Sequence, residues 1–408
     1  MVIAGAKNWK KRFESFDTQI KSNPFYEEYI VDRFPLEISL QDFLSWRKST
    51  GRNYRVPIDA DEAALFGFIG MTSRIHQRLS SQGKVRLEGA IRDALKNDSG
   101  LAPVAFEFVV AAHLMHRGFS VEFVDLEGTE KFDLLCERDG SFLEVECKNL
   151  SGDAGRPIHR KRLVQLGAAI QNIVGEDRKR EAGIELVKVT LEKRLEGRTE
   201  HQLSIANAVA ESLRTQTGSS GVDGFSVEYR LVGPVECPEI PTIINPESVS
   251  GLRSAVESLA ETQNANIVFN ITPGHGVTAV VVDSQADTRI MDYLAERTKE
   301  AASDQLSGLR SGMVCVRFVD MSDQQLHEIA EVEKSTNLSA LQHLASDLLS
   351  REDWSHIHKF AFFARGDANV GIHQSSVIGD FSSTTGGSVY HFKNKGVKYT
   401  DFSGYSIF

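Results

Sequence analysis

Residues 131–150 read KFDLLCERDGSFLEVECKNL, and this stretch decides the fold of the chain. Two largely apolar segments flank Asp139 and Gly140, a pair of residues typical of a two-residue β-hairpin turn. If these two residues form the turn, Arg138 lies opposite Ser141 and Asp133 lies opposite Glu146. The stretch therefore predicts an antiparallel hairpin with a fixed register.

The two faces of this hairpin follow from the alternation of side chains along a strand. One face is apolar and predicts core; it carries Phe132, Leu134, Cys136, Leu143, Val145 and Cys147. The other face is either the solvated side of the hairpin or a site; it carries Lys131, Asp133, Leu135, Glu137, Phe142, Glu144, Glu146 and Lys148. On it Asp133 opposes Glu146, and like charges directly opposite each other destabilise a sheet. A Mg²⁺ ion between the two carboxylates would explain that pairing.

The segments around the hairpin predict the order helix, three strands, helix, strand. Residues 101–118 predict a helix that leads into a strand at VEF, and a second helix near 159–174 precedes a strand at 184–191. Glu107 lies on the apolar stripe of the first helix, where an unpaired carboxylate costs several kcal/mol. It either pairs with an Arg or Lys of the core or points at the same metal site.

Over residues 101–193 the sequence resembles the PD-(D/E)xK or restriction endonuclease-like nuclease superfamily. The residues that carry the resemblance on these elements are Glu107, Asp133, Glu146 and Lys148. The sequence departs from the pattern in that Lys131 and Phe132 precede Asp133, where the family often has proline. The resemblance implies phosphodiester hydrolysis that depends on Mg²⁺ or Mn²⁺. Its metal ligands would be Asp133, Glu146 and the carbonyl of Cys147, with assistance from Glu107. Lys148 would orient or deprotonate the attacking water.

A locally basic stretch follows the hairpin, with Arg156, His159, Arg160 and Lys161. It is either a solvated helix start or a contact to nucleic-acid phosphates, which position a backbone without reading its sequence. We expect a nucleic acid as the partner, DNA rather than RNA, and a homodimer is compatible with the resemblance. The alternatives are a catalytically silent nucleic-acid-binding or protein-interaction module on the same fold, and a different α/β enzyme with its site in the C-terminal half.

The whole chain has 408 residues, of which 41% are hydrophobic and 25% charged, and this excludes collagen-like, disordered and disulfide-scaffold classes. Its net charge of −10 means that nucleic acid would have to bind at a local basic patch. We find no signal peptide, membrane-spanning run, GxSxG motif or Walker motif, and expect a cytoplasmic α/β protein with reduced cysteines. We expect a mostly helical region at 1–98, the nuclease-like domain at 99–235 and an α/β region at 236–408.

Overall fold

The computed structural model describes residues 5–23, 25–151, 153–175, 183–222, 224–233, 249–262, 266–272, 276–319, 326, 340–364, 380–384 and 387–393. The chain divides into two units. The first unit comprises residues 1–17, 30–154 and 290–408, and the second comprises 18–29 and 155–289. Each unit contains one mixed β-sheet, so the α/β class is confirmed. In the described part of the chain, no helix has the length and apolarity required to cross a membrane.

The N-terminal region is helical, as the composition indicated. Its helices are α1 (Ala6–Ser22), α2 (Tyr26–Arg33), α3 (Pro35–Thr50), α4 (Ala60–Arg78), α5 (Ser81–Ala94) and α6 (Ala102–His116). The long helical pattern after residue 59 splits into α4 and α5 because Ser80 caps a new helix, accepting a hydrogen bond from the N–H of Gly83 at 3.0 Å. Eight of the 15 residues of α6 are buried, and seven of these are apolar, so the helix contributes a large apolar face to the core of the first unit.

The first unit contains a seven-stranded sheet in the order β1-β2-β3-β9-β10-β12-β11. Its elements are β1 (Ser120–Phe123), the short helix α7 (Val124–Glu127), β2 (Leu134–Arg138), β3 (Ser141–Leu150), helix α11 (Ile290–Glu300), a π-helical turn (Ala301–Gln305), β9 (Ser311–Phe318), helix α12 (Ala340–Leu349), β10 (Ile357–Phe363), β11 (Asp380–Thr384) and β12 (Gly387–Lys393). The hairpin register is confirmed, since Leu134 pairs with Val145 and Arg138 with Ser141. Asp139 and Gly140 both have positive φ, at 53° and 81°, as this tight turn requires.

The second unit contains a five-stranded sheet in the order β5-β6-β4-β8-β7. Its elements are α8 (Arg160–Val174), β4 (Ile184–Leu191), α9 (Thr199–Thr215), β5 (Ser219–Val222), β6 (Phe225–Val232), α10 (Val249–Leu259), β7 (Asn266–Thr272) and β8 (Gly276–Ser284). The first and last residues of the segment 155–289 are adjacent in space: the N–H of Arg289 donates a hydrogen bond to the carbonyl of Gly155 at 2.8 Å. This is the connectivity expected of an insertion.

The structure corrects the predicted order of the core. We expected α8 and β4 to follow the hairpin in its own sheet, but β4 pairs with β6 and β8 in the second unit. In the first unit β3 instead pairs in parallel with β9, from Leu143 opposite Ser311 to Leu150 opposite Phe318. The segment 99–235 is therefore divided between the two units. Local sequence could not distinguish these strands, because buried parallel strands all read as continuous apolar runs.

Both faces of the seven-stranded sheet are covered. Leu134, Cys136, Leu143, Val145 and Cys147 belong to the core that includes the buried face of α6. The other face packs against α11 and α12. Phe132 belongs to this second core, so the expectation that it shares the face of Leu134 is wrong. The reason is that residues 131–133 form a bend before β2 begins, and side chains alternate only along a strand.

Candidate metal centre

Three acidic side chains group together in the first unit, and a fourth lies near them. Glu107 lies on α6, Asp125 on α7, Asp133 in the bend before β2, and Glu146 in β3. Each of Glu107, Asp125 and Asp133 has a carboxylate oxygen within 4.8 Å of the other two. The charge of Glu146 contributes to the raised pKa values of Glu107 and Asp133, so its carboxylate lies near this group. The structure thus groups two predicted acids, Glu107 and Asp133, with Asp125, which was not predicted. Glu146, predicted as a metal ligand, lies outside this group.

Asp133 is held between the hairpin and α7. Its Oδ2 accepts a hydrogen bond from the N–H of Cys147 at 2.6 Å, and its carbonyl accepts from the N–H of Val124 at 3.2 Å. Because residues 131–133 precede β2, the expected pairing of Asp133 with Glu146 is not part of the strand register. The bend instead directs the Asp133 carboxylate towards Glu107 and Asp125.

Asp125 was not predicted from the sequence. It lies in a helix of only four residues, which shows no periodicity, and its only signal was an acidic residue between a strand and the hairpin. One carboxylate oxygen, Oδ1, is buried and has no hydrogen-bond partner among the described residues. Such an oxygen is costly to bury unless something binds it.

Glu146 and Lys148 form an ion pair beside the three grouped acids. The Nζ of Lys148 lies 2.9 Å from Oε1 of Glu146, and their side chains are 18% and 3% exposed. The second oxygen of Glu146, Oε2, is buried and lacks a hydrogen-bond partner in the described part of the chain. The lysine is therefore positioned by one oxygen of Glu146 while the other oxygen is left to bind a further group.

Glu144 shows what a purely structural acid on the same strand looks like. Its carboxylate is fully buried, accepts from the N–H and hydroxyl of Ser307, and lies 3.1 Å from Nη1 of Arg310. Both its oxygens are satisfied, whereas Oε2 of Glu146 has no hydrogen-bond partner among the described residues. The reading of this face as a solvated surface is wrong for both glutamates, since each is buried.

Burial raises the pKa of every acid in the cluster. Desolvation, followed by the charges of Asp125 and Glu146, raises the pKa of Glu107 to about 8. Desolvation is also the main cause that raises the pKa of Glu146 to about 7 and that of Asp125 to about 6, and it raises the pKa of Asp133 well above its usual range. Near neutral pH the metal-free cluster therefore keeps several of its carboxyl groups protonated, and a bound cation would favour their charged forms.

A divalent cation fits this donor set. Carboxylate oxygens are the ligands that Mg²⁺ and Mn²⁺ prefer, and two buried oxygens, Oδ1 of Asp125 and Oε2 of Glu146, need a partner. Glu107, Asp125 and Asp133 could hold such an ion directly. That the Cys147 carbonyl is a metal ligand stays a prediction. The Cys147 side chain belongs to the core, and the residue lies opposite Cys315 on β9.

The basic stretch lies in the other unit. Arg156, His159, Arg160 and Lys161 precede or begin α8 in the second unit, whereas the acids belong to the first. Arg160 and Lys161 make contacts of their own, as does His159. Their expected contact with nucleic acid stays a prediction.

The raised pKa values predict an unusual pH dependence of stability for the metal-free protein. The unfolded chain has ordinary pKa values near 4 to 4.5, so between about pH 5 and 8 the folded chain binds more protons. The stability from these acids is thus present at low pH and lost as pH rises, by up to about 1.4 kcal/mol per pH unit for each group.

The check is thermal denaturation in EDTA from pH 5 to 9 of the wild type and of Glu107→Gln. We expect the wild-type melting temperature to fall relative to that of the variant as pH rises, and Mn²⁺ to reverse the loss. Parallel pH profiles for the two proteins would contradict the raised pKa of Glu107.

In comparisons with known proteins, the chain matches no protein-family model, no curated protein and no solved structure.

Proposed function

We propose that the protein is a metal-dependent nuclease that hydrolyses phosphodiester bonds, with Mg²⁺ or Mn²⁺ as its cofactor. One observation carries the proposal: Glu107, Asp125 and Asp133 group their carboxylates within 4.8 Å beside the Glu146–Lys148 pair. Grouped acids can hold a metal ion that polarises a phosphoryl oxygen and activates water, and a nearby lysine can position that water. DNA is favoured over RNA on the resemblance to restriction endonuclease-like enzymes alone.

The topology of the first unit supports this proposal. We interpret it as a restriction endonuclease-like core in which α6, the meander β1-β2-β3, α11 and β9 supply the order helix, three strands, helix, strand. Residues 155–289 would then be an insertion between β3 and α11. Asp133 lies just before β2, which begins at Leu134, and Glu146 lies on β3 just beyond the last residue paired with β2, Val145.

The residues of the cluster would divide the work between them. Glu107, Asp125 and Asp133 would hold the metal ion, assisted by the carbonyl of Cys147. That carbonyl points to the same side of β3 as the Cys147 N–H, which donates to Asp133. When bound, the ion would polarise the phosphoryl oxygen and promote deprotonation of water.

Lys148 would act on the attacking water. Its ammonium group, positioned at 2.9 Å from Glu146, would orient the water and offset the negative charge that develops on the phosphate. Because the Lys148 side chain is only 18% exposed, bulk water screens its charge weakly. This is the role that the ExK arrangement of Glu146, Cys147 and Lys148 implies.

The proposal is tested by incubating the protein with supercoiled plasmid, linear duplex DNA, single-stranded DNA and RNA, each with Mg²⁺, Mn²⁺ or EDTA. We expect cleavage of DNA with either metal and none with EDTA. Binding without cleavage under every condition would favour the catalytically silent module instead. Neither binding nor cleavage of any substrate would overturn the nucleic-acid function altogether.

A further inference from the structure

An arginine outside the predicted motif contacts the turn that carries Asp125. Nη1 of Arg86, on α5, donates to the carbonyl of Asp125 at 3.2 Å. A Cβ atom built on Gly128, at the end of the same turn, would lie 1.6 Å from that nitrogen. The guanidinium thus occupies the space that a side chain at residue 128 would take.

The turn and α5 are joined at a second point. The carboxylate of Glu127 accepts hydrogen bonds from the N–H of Ser80, at 2.9 Å, and from its hydroxyl, at the start of α5. A Cβ on Gly83 would lie 3.0 Å from that carboxylate, so the helix approaches the turn closely. These contacts, at Ser80 and at Arg86, hold the start of α5 against the turn that carries Asp125.

Arg86 has donors to spare. The residue is exposed, and within the described chain its guanidinium makes the one hydrogen bond to Asp125, which leaves most of its five N–H groups for another partner. Its charge acts on Asp125, lowering the pKa that burial raises. Lys148, by contrast, is largely buried and paired with Glu146.

A phosphodiester that approaches this cluster meets four carboxylates, and a fixed cation at the edge would offset the repulsion. A planar guanidinium held in place is the side chain best suited to bind phosphate oxygens through two parallel hydrogen bonds. We propose that Arg86 binds a backbone phosphate of the nucleic acid beside the scissile bond. This inference rests on the proposed nuclease function and adds a substrate-binding residue that the motif does not contain.

The test measures the binding of a short DNA duplex in Ca²⁺ over a series of salt concentrations, for the wild type and Arg86→Ala. Loss of a charged hydrogen-bonding contact should weaken binding about 10- to 100-fold. Loss of one phosphate contact should also reduce the slope of log affinity against log salt by about 0.9. Mn²⁺ affinity without DNA should not fall, because removing one cation does not weaken the binding of another.

Three further variants separate the phosphate contact from a structural effect. Arg86→Lys should keep the salt slope but bind DNA more weakly than the wild type. Gly128→Ala should displace the guanidinium and weaken DNA binding. Gly118→Ala is the matched control, because Gly118 has a similar φ, +87° against +73°, but no heavy atom within 4 Å of the added Cβ. It should bind DNA like the wild type.

The outcomes distinguish the two proposals. If the wild type neither binds nor cleaves nucleic acid, the nuclease function and the Arg86 contact both fail. If the wild type cleaves DNA but Arg86→Ala keeps its affinity and salt slope, only the Arg86 contact is overturned. A fall in Mn²⁺ affinity that accounts for all of the loss would also overturn it, since Arg86 would then act by holding Asp125.

Discussion

Lys148→Ala should still bind Mn²⁺ and DNA but cleave about 10²- to 10⁴-fold more slowly than the wild type, the range ascribed to a positioned acid or base. The reason is the division of roles within the cluster. Lys148 pairs with one oxygen of Glu146. The three carboxylates that could hold the metal ion belong to other residues. Its removal frees that oxygen and takes away a positive charge, so metal occupancy should be maintained while the attacking water loses its positioning group.

Single-turnover cleavage measures the first half of this prediction, and calorimetric titration with Mn²⁺ measures the second. Lys131→Ala is the matched control, because Lys131 is an exposed lysine beside the same hairpin. It should cleave at the wild-type rate. Cleavage by Lys148→Ala at that same rate would contradict the mechanism even if the fold is that of a nuclease.

Asp133→Asn should bind Mn²⁺ much more weakly than the wild type. Removal of a group that only supports a metal ligand costs roughly 10- to 100-fold in metal affinity, and we expect the loss of a ligand to cost more. Asp133 is one of the three grouped acids, and a neutral amide is a much weaker ligand than a carboxylate. Cleavage should be lost together with the metal. The fold should persist, because an amide oxygen can still accept the hydrogen bond from the N–H of Cys147.

The same substitution should leave the metal-free protein at least as stable as the wild type in EDTA. Burial and the charges of Glu107 and Glu146 raise the pKa of Asp133, so an uncharged side chain relieves repulsion. Asp139→Asn is the control: this turn residue is exposed and has φ 53°, a conformation that asparagine adopts readily. Unchanged Mn²⁺ affinity in Asp133→Asn, or unfolding in EDTA, would show that the acid is structural.

The hairpin and its flanking helix could be predicted because their determinants are local. Asp139 and Gly140 specify a tight turn, the turn specifies the register, and alternation then separates Leu134 and Val145 from Glu144 and Glu146. Alternation failed at Asp133, where the chain bends before β2. A bend of this kind depends on the neighbouring α7, which the hairpin sequence does not contain.

The sequence could not show that Glu144 and Glu146, the two buried glutamates of β3, have different roles. Glu144 is satisfied by Ser307 and Arg310, residues more than 160 positions away, whereas one oxygen of Glu146 has no partner in the part of the chain that the structure describes. Only the position of distant segments reveals which acid is structural and which belongs to the cluster.

The sequence by itself determined the helical N-terminal region, the β2-β3 hairpin and most of the acids, because turn chemistry and side-chain periodicity act within a few residues. The tertiary structure alone decided that β9 rather than β4 pairs with β3 and that Asp125 joins Glu107 and Asp133. The physical reason is that apolar strands of similar composition bury equally well against many partners. Which one is chosen depends on the packing of the whole unit.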